Sequence, residues 1–106
     1  MIYAAHMPVA PYEVTTEVQK YPGITGWHYL TLPDDVVDDI RGRFGSSARA
    51  FGSLAVSVEV GHSTWSTSLF YDNNTDSYLL PLKSNIRKQE HIDEGDTVTV
   101  RLAVKD

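Results

Sequence analysis

The sequence contains no cysteine, which excludes a disulfide framework, a thiolate metal site and a cysteine nucleophile. It has no apolar run long enough for a membrane-spanning helix, and its first residues carry no export-signal pattern. These absences lead us to expect a cytoplasmic protein that makes no membrane contact. Positive charge is scarce, with 9 Lys and Arg against 14 Asp and Glu, a net charge of −5, which argues against a general binder of polyanions. The short motifs of known chemistries are missing as well. There is no glycine-rich phosphate loop, no closely spaced histidine pair and no G-x-S-x-G elbow.

What the 106 residues do contain is enough for one core, at 42% hydrophobic. Residues 1–11 read as a tag remnant or flexible lead-in, since His6-Met7 is a dipeptide that cloning sites leave behind, and 12–104 read as a single domain. From Tyr12, Val14, Thr16 and Val18 alternate with polar residues, a period of two that predicts a strand with one wet face. Tyr21-Pro22-Gly23 through Gly26 predicts a turn, and Trp27 to Leu32 a second strand ended by Pro33. Asp34 to Phe44 is expected to be helical, with Val36, Val37, Ile40 and Phe44 on one stripe and Gly45 as its C-terminal cap. Strands follow at Leu54–Val60, Ser63–Tyr71 and Ser77–Leu82. A short helix capped by Ser84, a Glu94-Gly95-Asp96 turn and a last strand from Val98 to Val104 complete the chain.

The two halves read alike: strand, turn, strand, Leu-Pro, helix, glycine turn, valine-rich strand. Tyr29-Leu-Thr-Leu-Pro33 against Tyr78-Leu-Leu-Pro81 is the clearest match. An internal ββαβ duplication predicts a mainly β fold: a small closed barrel of six main strands, double-split in type, with two short helices. Closure would remove exposed sheet edges.

Trp65-Ser-Thr-Ser-Leu69, Tyr78-Leu-Leu-Pro-Leu-Lys83, Ile86-Arg87-Lys88 and Gly95-Asp96-Thr-Val-Thr-Val100 together resemble a bacterial and archaeal family of unknown function. That family is often fused to the YdeI/OmpD-associated (bacteriocin-protection) domain. Trp27 to Pro33 and Gly52 to Val60 fit its first half, so the likeness spans Tyr12 to Val104. The resemblance implies a barrel similar to those of AbrB/MazE-like regulators, and it implies no catalytic residues.

Side chains with chemical potential are weighed against their ordinary uses. His28, His62 and His91 are scattered singly, so no metal site or cofactor is expected. Ser63, Thr64, Ser66, Thr67 and Ser68 crowd one strand beside His62, but hydroxyls are ordinary on the wet face of a strand. Asp34, Asp35, Asp38 and Asp39 read as a solvated helical surface, and Asp93, Glu94 and Asp96 as a soluble turn. Trp27 and Trp65 are expected in the core, or else with Tyr29, Tyr71 and Tyr78 around a pocket mouth.

Basic residues gather in two small patches, Arg41, Arg43 and Arg49, and Lys83, Arg87 and Lys88. With the acidic helix beside them, duplex DNA binding is not expected. The expected function is a non-enzymatic binding or interaction module, with Trp65, Ser68, Arg87 and Lys88 as the residues meeting its target. The alternative is a small-molecule pocket or enzyme at a barrel end. The partner is a protein or small molecule, and the domain is a monomer or homodimer.

Overall fold

Alternation along the valine-rich runs sets the sheet. In β4 (Leu54–Val60), Leu54, Val56, Val58 and Val60 are buried while Ser57 and Glu59 face out, so one face of the strand enters the core. The computed structural model describes residues 12–22, 26–44 and 53–105. The other strands are β1 (Tyr12–Glu17), β2 (Gln19–Lys20), β3 (His28–Thr31), β5 (Ser63–Asp72), β6 (Ser77–Leu82) and β7 (Thr97–Val104). They form one antiparallel sheet in the order β1-β7-β4-β5-β6-β3-β2, nearly closed into a barrel. Among the described residues two helices accompany it, α1 (Asp34–Phe44) and α2 (Ser84–Glu90).

The sheet has seven strands where the sequence pattern predicts six, because the first expected strand divides at Val18. Its N–H donates to the Asp96 carbonyl at 2.8 Å, and its own carbonyl accepts from the Gly95 N–H at 2.9 Å. The chain bends there. Upstream, β1 pairs with β7 (Tyr12 opposite Leu102), and downstream β2 pairs with β3 (Gln19 opposite Tyr29). One continuous stretch of chain thus serves both ends of the strand order.

The core runs through the barrel from Val14, Val18, Val100 and Leu102 to Leu30, Leu80 and Leu69. It is capped on one side by α1, which buries Val37, Ile40 and Phe44 and leaves its aspartates outside. Asp34 and Asp35 lie in the first turn, and Arg41 and Arg43 in the last, the arrangement the helix dipole favours. Ser84 does not cap α2, contrary to expectation. Lys83 takes the cap position in an extended conformation with no side-chain hydrogen bond, and Ser84 is the first helical residue. At the other end His91 adopts the left-handed conformation (φ 57°), and the Ile92 N–H returns to the Arg87 carbonyl at 2.8 Å. The lead-in at 1–11, the Gly45 cap, Arg49 and the centre of the Pro22–Gly26 turn lie outside the described residues.

Two tyrosine–aspartate–arginine sets fasten α1. Asp39 accepts from the Tyr12 hydroxyl at 2.6 Å and pairs with Arg43 at 2.9 Å. Asp76, in the β5–β6 turn, accepts from the Tyr71 hydroxyl and pairs with Arg41 at 2.8 Å, while the Arg41 guanidinium lies 4.9 Å from the Tyr71 ring centroid. Burial, then the bond to Asp39, pushes the Tyr12 phenol up to about 12. The bond to Asp76 raises Tyr71 as well. Because each phenol donates only when protonated, this stabilisation is full below the ordinary tyrosine value near 10 and is lost as pH rises through the folded values. A spectrophotometric titration should therefore show a late-ionising tyrosine fraction that Tyr12→Phe diminishes. If all tyrosines ionise together near 10, the Tyr12–Asp39 bond does not persist in solution.

Candidate functional site

A pocket of about 420 Å³ opens where the start of β3 meets the end of β6 and the first turn of α2. The β3–β6 register makes it. His28 stands opposite Leu82 and Tyr29 opposite Pro81, so Gly26, Trp27 and His28 arrive alongside Pro81 and Leu82. The chain then turns into α2 and adds Lys83, Ser84, Asn85 and Arg87 to the wall.

Trp27 is positioned by its aromatic neighbours. Its ring centroid lies 5.6 Å from Tyr21, edge to face, and 5.5 Å from Tyr29. The Tyr21 N–H donates to the Trp27 carbonyl at 2.7 Å, which closes the backbone on the same spot. His28 Nδ1 donates to the Gly26 carbonyl at 2.6 Å, leaving Nε2 as the acceptor of the neutral ring. Among the described residues the charged groups in the wall are Lys83 and Arg87, both cationic, and no Asp or Glu lines it. Among the described residues neither has a carboxylate within ion-pairing distance, unlike Arg41 and Arg43. The Arg87 Nε is buried and finds no hydrogen-bond acceptor among the described residues. A buried donor on a charged group is costly to leave without a partner. The pocket therefore combines an aromatic wall, two cations and a few neutral polar groups, a composition suited to holding an anion.

Of the four residues singled out from the sequence, Arg87 lines this pocket and the other three do not. Trp65 lies on β5 opposite Val58, half-buried and packed against the core, with its Nε1 lacking a partner among the described residues. Ser68 lies on the same strand opposite Ala55, and Lys88 is exposed on α2. The aromatics do not ring a single mouth. Trp27 and Tyr29 cluster with Tyr21, whereas Tyr71 faces Tyr78 across the β5–β6 ladder at 5.9 Å, beneath Arg41. The register decides this, since β3 carries one set and the β5–β6 hairpin the other.

Sequence reasoning passed over His28 as an ordinary imidazole and did not join Trp27 to Arg87. The available signal was Lys83-Ser84-Asn85 directly after a strand, with Arg87 three residues beyond Ser84. Elsewhere among the described residues, no three His, Asp or Glu side chains come together to hold a metal ion, and no helix is long and apolar enough to cross a membrane.

A family model described as a domain of unknown function (DUF1905) matches residues 15–102, and the chain belongs to that family. No curated protein matches it.

Proposed function

We propose that this DUF1905 domain is a non-enzymatic binding module that holds its target in the pocket between Trp27 and Arg87. The observation that carries the reading is the composition of the wall: an aromatic face and two cations, with no carboxylate. Binding sites of this kind pair apolar surface with a few placed polar groups. Catalysis by a hydroxyl is disfavoured because Ser84, the hydroxyl among the described wall residues, makes no hydrogen bond to His28. An enzyme at this barrel end is the competing reading.

The proposed internal duplication fits the same picture. What supports it is that equivalent strands pair with each other, β3 with β6 and β4 with β7, while β1 with β7 mirrors β5 with β4. The likeness to AbrB-type barrels raises DNA as a target, and the charge arrangement speaks against it. Arg41 and Arg43 are engaged by Asp76 and Asp39, which weakens that basic patch as a partner for phosphates.

A thermal-shift screen across metabolites of different charge, run on wild type and Arg87→Gln, tests the proposal. A true ligand at a hundred times its Kd adds about 2.7 kcal/mol of stability, and the variant should lose that shift while keeping its own melting point within a few degrees. No hit in any charge class, together with steep salt-dependent binding of random duplexes in fluorescence anisotropy, would replace this reading with nucleic-acid binding.

A further inference from the structure

We infer that the target is a small organic anion in which a carboxylate is carried by a flat aromatic ring, an inference that rests on the pocket being the binding site. The carboxylate follows from Arg87 and Lys83. They are cations in a wall without Asp or Glu, and among the described residues nothing pairs with them. A guanidinium offers a planar fork of N–H donors that matches two carboxylate oxygens. The ring follows from Trp27, whose indole is already braced by Tyr21 and Tyr29 and can stack on a flat partner without first being ordered.

Two further features narrow the choice. The volume of about 420 Å³ lies toward the small end of ligand pockets, which suits one or two rings rather than a polymer. His28, with Nδ1 committed to the Gly26 carbonyl, offers Nε2 as an acceptor, so a hydroxyl on the ring has a partner. The matching end of the other half is built differently. There Ser77 Oγ donates to the Leu32 carbonyl at 2.9 Å and the Leu32 N–H donates to the Tyr78 carbonyl at 3.0 Å. Asp34 and Asp35 stand at the start of α1 where Ser84 and Asn85 stand in α2. Only the α2 end has the charge to take an anion.

The test is a titration of the ¹⁵N-labelled chain, following the Trp27 indole and Arg87 Nε–H resonances. The probes are 4-hydroxybenzoate, its neutral counterpart 4-hydroxybenzyl alcohol, and inorganic phosphate. The benzoate should shift both resonances saturably, with the alcohol and phosphate each at least tenfold weaker. Arg87→Gln and Trp27→Leu should each cost at least tenfold, and Lys88→Gln, on the same helix but outside the wall, less than twofold. Equal binding of the alcohol would overturn the anion, and equal binding of phosphate would overturn the ring. If the benzoate leaves both resonances unmoved while another compound from the screen shifts them, the inference falls and the pocket stands. If nothing shifts them, both fall.

Discussion

Gly61→Ala is expected to destabilise the domain by roughly 2–5 kcal/mol, a large effect for adding one methyl group to an exposed turn. Two causes combine. Gly61 has φ +56°, in the left-handed region where a side chain costs about 1–2 kcal/mol. A Cβ at this position would also lie 2.0 Å from Glu90 Oε1, so the carboxylate must move. That carboxylate accepts from Ser63 Oγ at 2.6 Å and from the His62 N–H at 3.2 Å, tying α2 to the β4–β5 turn. Ser63 is buried, and a buried hydroxyl left without its partner costs about 1–3 kcal/mol. The two causes can be separated in a Glu90→Ala background, where the clash is gone and Gly61→Ala should cost only the backbone part, about 1–2 kcal/mol. Urea denaturation of the four proteins gives the coupling. A Gly61→Ala midpoint within error of wild type would mean that the turn does not hold this geometry.

The second large effect is expected at the centre of the β3–β6 ladder. Leu30 and Leu80 are opposite each other and both 0% exposed. Truncating either to alanine removes buried methyl groups and leaves a cavity, at about 2–5 kcal/mol. Against a total stability of about 5–15 kcal/mol for such domains, the double variant should be largely unfolded at 37 °C. Each single variant should melt roughly 8 °C or more lower, since 1 kcal/mol is worth roughly 4–8 °C at this size. Phe70→Ala is the contrast. Phe70 is 44% exposed one ladder away, opposite Leu79, and its loss should change the melting point by only a few degrees. A Leu80→Ala protein that melts with wild type would place the core elsewhere.

Much of this was legible in the residues. The alternation of Leu54, Val56, Val58 and Val60 set β4 and its inward face, and the Val37–Ile40–Phe44 stripe set α1, because both signals are local and repeat with the period of the element. The division of the first strand was not legible. Val18 belongs to the same alternating run as Val14, and what bends the chain there is a pair of backbone hydrogen bonds from the Gly95–Asp96 turn at the far end of the sequence. The pocket was half legible. Arg87 stood out as a cation on a short helix, but Trp27 and His28 reach it only through the β3–β6 register, and pairing partners so distant in sequence leave no periodic trace. The choice of Lys83 over Ser84 as the α2 cap had no local signal either, because serine suits both positions.

The bend at Val18 has a consequence for how the protein is made. Because β1 pairs with β7 while β2 pairs with β3, the first strand cannot complete its bonding until the last one exists. On the ribosome, Tyr12 emerges early but must wait for Leu102. The hairpins β4–β5 and β5–β6 involve near neighbours and can form as they are synthesised, whereas the clasp is a late event dominated by distant contacts, the kind that slows folding. Until it closes, the β7 edge that β1 will cover is open to pairing with another chain. An intermediate in which β1 has not yet paired thus presents a strand edge that the folded domain does not.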